Sequence, residues 1–463
     1  MPGSHRNHRP ASLSRAERAA SGKALRKQVP RESHADLTLA AGRDPAALLA
    51  AVDANRIAAL LPIRYERMLA SPFTFLRGAA SVMAADLAGM PVPGIAVQAC
   101  GDCHLLNFGA FGTPEGRILF DINDFDETLG GIDFTVDLKR LVASVAVAAL
   151  DAGYPKKKAR SFAAATAQAY CDHIRALAGL SPLAIWHSRI DLAREAGRIA
   201  EDKLRQALLK TIVKAKKTLA QDDNFPHLAK TRGNVCRIED RPPLIYHLDA
   251  ARIRSHGVDS RDVLSLYQAN LPPDRQVLLT RFRLEDLAFK VVGVGSVGTF
   301  CAIGLYMTGD GEPLFLQIKE AQASVLERFR PGGSGIRDQG RRVVEGQRVM
   351  QAASDAFLGS VEDPASGRHF YVRQLKNRRL GSVGELLEGN ALLEYAVLCG
   401  RTLARAHARS GDPAVIAGYV GRSGVFEDAL AAFSLAYADQ TAADHAALKH
   451  AQPAARRRAR RPA

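Results

Sequence analysis

Two acidic stretches decide how this chain is read: Gly101-Asp102-Cys103-His104-Leu105-Leu106-Asn107, and then Asp121-Ile122-Asn123-Asp124-Phe125-Asp126-Glu127. Between them Gly112-Thr113-Pro114-Glu115-Gly116 supplies turn chemistry, and the apolar runs at 95–99 and 117–121 read as short strands. The acidic segments therefore flank a predicted hairpin. Phosphoryl transfer needs a carboxylate to orient or deprotonate a hydroxyl, together with oxygen ligands that hold Mg²⁺ against nucleotide phosphates. Asp102 has the place of the base, and Asn107 with Asp124 the place of the metal ligands. One Asp alone would carry no such reading, because Asp and Asn commonly cap turns and strand ends. The ordered set does carry it.

Working outward, Gly293-Val294-Gly295-Ser296-Val297-Gly298 lies between predicted strands at 289–292 and 299–307, and a third run at 314–318 leads to Lys319. Glycines let backbone N–H groups approach phosphates, and a lysine on a neighbouring strand neutralises their oxygens. A dinucleotide-binding turn would need a helix to begin inside the motif, whereas 299–307 reads as strand. Gly293, Gly295, Ser296, Gly298 and Lys319 are thus the nucleotide-binding candidates. Glu345, in a helix predicted over 339–357, is the candidate partner of Lys319, with Glu327 and Glu320 competing.

The rest of the chain supplies mostly helices, at 44–69, 136–150, 156–180 and much of 181–220 and 383–448, with one more strand at 370–375 and a Gly-rich mobile loop at 329–338. The formal net charge is +15, but residues 1–34 and 449–463 hold twelve of those charges. A basic groove across the body is therefore not indicated, and nucleic acid is an expected partner only through the basic ends. No apolar run reaches the ~18 residues of a membrane span. With six cysteines and no charged-then-apolar leader, a reducing cytoplasm is the expected compartment. Cys100-Gly101-Asp102-Cys103-His104 spells the c-type haem attachment pattern, but attachment requires export. No second Cys pair stands ready to complete a metal site, so these thiols read as small apolar neighbours of the loop.

These motifs resemble the aminoglycoside-phosphotransferase branch of kinase-like enzymes, whose catalytic loop runs Gly-Asp-x-His-x-x-Asn and whose metal loop runs Ile-Asp-Phe/Trp-Glu/Asp. The resemblance continues through Gly131-Ile132-Asp133-Phe134-Thr135-Val136-Asp137-Leu138. It implies a catalytic loop of Asp102, His104 and Asn107, and metal ligands Asn107, Asp124 and Asp126, the last at the acidic position after Asp124. In an ordinary kinase the glycine loop and lysine come first, so the order here implies circular permutation. Residues 394–412, with Gly400-Arg401-Thr402-Leu403-Ala404-Arg405-Ala406-His407, resemble the helix that precedes the catalytic loop. The layout from about residue 40 to 445 resembles a bacterial kinase-like family, domain of unknown function twenty-two fifty-two. Its matching residues include Arg64-Tyr65-x-Arg67-Met68, Ser71-Pro72-Phe73-x-Phe75-x-Arg77-Gly78 and Lys319-Glu320-Ala321. Arg67 and Arg77 are candidates for phosphate contact or for structural pairing.

The expectation is an α+β, protein-kinase-like, two-lobed and circularly permuted fold. Residues 1–35 and 449–463 would be disordered basic tails, 36–285 and 381–448 a mostly helical large lobe, and 286–380 a small antiparallel sheet lobe. ATP and Mg²⁺ are the expected cofactors of a phosphotransferase acting on an unidentified hydroxyl of a small molecule or protein. A nucleotide-binding pseudokinase without turnover, and a nucleotidyl transferase, are the alternatives.

Overall fold

Three apolar runs separated by glycine turns become the middle of an antiparallel sheet, and the alanine-rich segments become the helices around the largest core. The structure is a computed structural model that describes residues 13–113, 116–200, 202–217, 227–232, 235–249, 251, 253, 256–330, 332–375 and 391–459. The outermost ends of the expected tails, the turn residues Pro114 and Glu115, part of the polar stretch 222–243 and the expected boundary at 380/381 lie outside the described residues.

The strands, in chain order, are β1 (Ala96–Ala99), β2 (Phe108–Gly112), β3 (Ile118–Ile122), β4 (Leu129–Asp133), β5 (Ala229–Arg232), β6 (Val235–Ile238), β7 (Ile245–Tyr246), β8 (Arg283–Lys290), β9 (Cys301–Met307), β10 (Pro313–Ala321), β11 (Gly359–Asp363) and β12 (Arg368–Gln374). β8, β9 and β10 form a meander, the helix Gln339–Met350 follows, and the β11–β12 hairpin returns so that β12 lies against β10. β7 closes the opposite edge. β1 pairs with β4 and β2 with β3 as separate antiparallel pairs.

The period-two alternation of strand side chains sorts the sheet into two faces. Leu314, Leu316 and Ile318 of β10, with Phe370 and Val372 of β12, enter one core together with Val263, Tyr267 and Phe300. Gln317 and Lys319 therefore share the other face with Tyr371, which joins the helical core, and Lys319 pairs in register with Tyr371 on one side and Cys301 on the other. That face carries the chemistry.

The helix Phe134–Asp151 is buried over nearly its whole length and packs against Lys156–Ala178, Ala391–Ser410 and Val425–Ala459. Small residues set these distances: a Cβ on Gly400 would lie 2.4 Å from the Thr166 carbonyl oxygen. β4 runs straight into the buried helix, with Asp133 as its N-cap. The helix Ala391–Ser410 ends beside β1, where the Gln98 N–H donates to Ser410 Oγ at 2.8 Å.

Several expectations are corrected. The basic N-terminal segment is folded from Arg15, where Ser14 and Glu17 make a reciprocal capping box on the helix Arg15–Ala24. This helix crosses Pro413–Val420 at its small residues, since a Cβ on Gly22 would lie 2.0 Å from the Val415 oxygen and one on Gly418 2.0 Å from the Ala19 oxygen. Arg26 and Arg31 then donate to the carbonyls of Gly418, Tyr419 and Val420, which have no partner within their own helix. These arginines terminate a helix; they do not decorate a tail. At the other end, the last helix continues to Ala459. The expected helix at 44–69 is split into Pro45–Asp53 and Leu61–Met68, the second started by a proline at its first turn. The helix expected to reach 357 stops at Met350. Val258, Leu264 and Leu279, placed with the helical part by sequence, pack on the sheet, because periodicity marks an apolar face without saying which core receives it. Among the described residues no helix is long and apolar enough to cross a membrane.

Candidate functional site

The loop after β1 is shaped by a residue that must be glycine. Gly101 has φ +84°, and a Cβ there would lie 2.5 Å from the Glu127 carbonyl oxygen. One face of the buried helix then holds the loop at positions three and seven residues apart. Asp137 accepts from the N–H groups of Cys100 (2.7 Å) and Gly101 (2.9 Å), Arg140 donates twice to Asp102 Oδ1 (2.6 and 2.9 Å), and Ser144 Oγ accepts from Leu105 N (2.9 Å). Asp102 is thereby fixed with Oδ2 toward the glycine turn, where a Cβ on Gly295 would lie 3.9 Å from it. Burial raises the Asp102 pKa above its ordinary range, although Arg140 pulls against that rise.

His104 caps the short turn that follows, with Nδ1 accepting from Leu106 N at 3.1 Å and Nε2 at 3.8 Å from Asp102 Oδ2. Asn107 Nδ2 donates to the Asp102 carbonyl at 2.8 Å, and the Asn107 carbonyl accepts from Asn123 N at 2.8 Å. The two acidic segments are therefore tied together directly. Asp124 Oδ1 accepts from Asp126 N at 3.2 Å.

Asp126 is the junction with the sheet. Its Oδ2 accepts from Lys319 Nζ at 2.6 Å and from Ser296 Oγ at 3.1 Å, and its Oδ1 from the Tyr371 hydroxyl at 2.5 Å. Burial opposes charge on both partners, but their mutual attraction wins: Asp126 falls to about 2, and Lys319 rises well above the lysine range. Neighbouring Glu127, whose Oε2 accepts from Val325 N at 2.7 Å, is pushed up to about 7 by burial.

The glycine turn has Gly293 at φ +65° and Gly298 at φ +94°. Arg64 donates to the carbonyls of Val294 (3.1 Å) and Gly295 (3.0 Å), Arg67 to that of Gly293 and Arg56 to that of Val297. Three arginines from residues 56–67 thus hold the carbonyl side of the turn. A cavity of about 420 Å³ lies between the turn and the acidic loops, lined by Arg77, Asp102, His104, Asn107, Asp124, Asp126, Gly293, Gly295 and Ser296. This volume suits a small-molecule ligand. A cleft of about 640 Å³ adjoins it and shares Arg56 and Glu320, the latter already paired with Arg368.

The structure thus gathers Asp102, His104, Asn107, Asp124, Asp126, Gly293, Gly295 and Ser296 around one space, with Lys319 buried behind its wall and bonded to Asp126, and with Gly298 lining the adjoining cleft. Arg77 lines it too. Arg67 does not; its guanidinium is engaged with the turn. Glu345 is a correction: it is 58% exposed and pairs with Arg341 one helical turn away at 2.7 Å. The helix turns Arg342, Val343, Gly346 and Met350 inward, which leaves Glu345 on the solvent face, and Lys319 finds Asp126 instead. Glu327 accepts from Ser334 N at 2.7 Å, so neither competitor holds the lysine. Missed by sequence were Arg140, Tyr371, Arg56 and Arg342, which donates to the carbonyls of Asp126 and Gln322. A signal existed only for Arg140, three positions after Asp137 and hence on the helix face that holds the loop.

No curated protein and no solved structure matches this chain. One family model does, over residues 56–451, and its span includes the arginine clamp, both acidic loops, the glycine turn and Lys319. On that match the chain belongs to the family described as uncharacterised proteins conserved in bacteria, DUF2252.

Proposed function

We propose that this protein is an ATP-dependent phosphotransferase of kinase-like chemistry that acts on a hydroxyl acceptor. The observation that carries the reading is the 2.6 Å contact between Lys319 and Asp126, which joins residues 193 apart at the wall of the cavity holding Asp102 and Asp124. Asp102, made more basic by burial, accepts the proton of the acceptor hydroxyl. Lys319 and the glycine-turn N–H groups, whose carbonyls are taken by arginines, receive the phosphates. Asn107 and Asp124 offer the hard oxygen donors that Mg²⁺ prefers, and the ion would neutralise phosphate charge there.

The same reading takes the fold as a circularly permuted kinase-like one. In its favour are the glycine turn between the first two strands of the meander, the lysine on the third and Gln339–Met350 as the next α-helix in the chain. Further support comes from the end of Ala391–Ser410 lying beside β1, where an unpermuted chain would pass into the catalytic loop.

The grip of Arg140 on Asp102 Oδ1 favours a second reading, nucleotide binding without turnover. Both are tested with γ- and α-labelled ATP, Mg²⁺ and a panel of hydroxylated acceptors. Transfer of γ-label that falls at least ~100-fold in Asp102→Asn with nucleotide binding retained, and is lost with binding in Asp124→Ala, is the expected result. Full activity in either variant overturns the assignment, α-label transfer replaces it with nucleotidyl transfer, and binding without turnover selects the second reading.

A further inference from the structure

Beneath Asp102 the fold assembles soft donors that the proposed reaction does not use. Cys100 and Cys103 flank the loop, and Asp137 reaches them from the buried helix. The two sulfurs and one carboxylate oxygen lie within 4.8 Å of one another. Exposure is 1% for Cys100 and 0% for Cys103, Asp137 and His407. Among the described residues the ion-pair partner of Asp137 is His407 alone, with Nε2 at 3.2 Å from Oδ2. The Asp137 carboxylate also accepts from the N–H groups of Cys100 and Gly101, which turn it toward the two thiols.

We propose that Cys100, Cys103 and Asp137 form a site for a thiophilic divalent cation, zinc by class, with His407 behind the carboxylate. Ligands at ~2.0–2.3 Å from one centre stand about 3.5 Å apart, so Cys100, Cys103 and Asp137, mutually within 4.8 Å, close onto an ion by small side-chain movements. His407 holds the carboxylate from outside, as partners of metal ligands do: its Nε2 lies 3.2 Å from Asp137 Oδ2 and its Nδ1 2.9 Å from the Tyr170 hydroxyl. Loading replaces two S–H bonds with two metal–sulfur bonds and releases two protons to solvent. Without the ion, burial raises Cys103 to about 11 and Cys100 well above the thiol range. The thiols are then neutral, which argues against a thiol-redox role. The ion would brace the chain on both sides of Asp102, at Cys100 and Cys103, apart from the Mg²⁺ donors Asn107 and Asp124.

The test uses the purified full-length chain, with zinc measured directly and cobalt(II) added after dialysis against a chelator. About one equivalent of bound metal and sulfur-to-cobalt charge-transfer bands are expected, with the bands weakened in Cys103→Ser and absent in Cys100→Ser/Cys103→Ser. The wild-type measurement stands even if a variant fails to fold. A natively folded wild-type chain with neither zinc nor thiolate–cobalt bands overturns the proposal. Magnesium and ATP play no part in this readout, so its outcome is separate from that of the phosphotransfer assay.

Discussion

At the scale of single residues, the contact between Lys319 and Asp126 joins the sheet to the acidic loops. The lysine side chain is 4% exposed, and the pair is sheltered by Tyr371. Removing one member of such a pair leaves the other with uncompensated charge. Lys319→Met is therefore expected to lower stability by about 3 kcal/mol, and Asp126→Asn added to it to recover part of that loss, as measured by urea unfolding in a double-mutant cycle. Strict additivity of the two substitutions would contradict the coupling. Asp102, Asn107, Asp124 and Lys319 could be singled out in the sequence because the proposed phosphotransfer asks for particular residue types at local spacing. Arg56 was not, and the carbonyl partners of Arg64 and Arg67 were not, since an arginine's partner is chosen by the tertiary fold, and these partners lie more than 200 positions away. Glu345 failed for the same reason: a glutamate in a helix does not announce which face turns inward.

At the scale of elements, alanine-rich periodicity revealed the helices, and glycine turns between apolar runs revealed the meander. β7, two residues long, and β11, Gly359-Ser360-Val361-Glu362-Asp363, had too little pattern to be seen. The N-terminal segment was misread because its contacts use glycine, alanine and arginine, which leave no apolar stripe. That segment carries a pH signature. The Tyr419 hydroxyl donates to the Val29 carbonyl at 2.9 Å, so His34 Nε2, 2.7 Å away, must be the donor to it, leaving Nδ1 buried without a partner among the described residues. Burial, helped by the charge of Lys139, lowers His34 to about 3, so the unfolded chain takes up its proton near 6.5 while the folded one refuses it. Stability from this group is complete above pH 6.5 and declines as pH falls toward 3. Between pH 6.5 and 5 the loss is expected to be about 2 kcal/mol in urea unfolding, with a shallower slope in His34→Gln. An unchanged slope in that variant would contradict a neutral buried imidazole.

At the scale of the molecule, the sheet face bearing Lys319 meets the loops held by the helix Phe134–Asp151, and the cavity lies at that meeting. The acidic loops come first in sequence and the glycine turn some 170 positions later, and the contact between Ser296 and Asp126 is one of those that join them. The central claim is that the two parts close on one magnesium–nucleotide complex. Thermal unfolding of the purified chain with ATP, with and without Mg²⁺, tests it most directly. Wild type should gain about 2.7 kcal/mol at a hundredfold excess over Kd, with most of that gain lost on chelating Mg²⁺ and in Asp124→Ala. No stabilisation by any nucleotide, or an equal gain in Asp124→Ala and Lys319→Met, would contradict it.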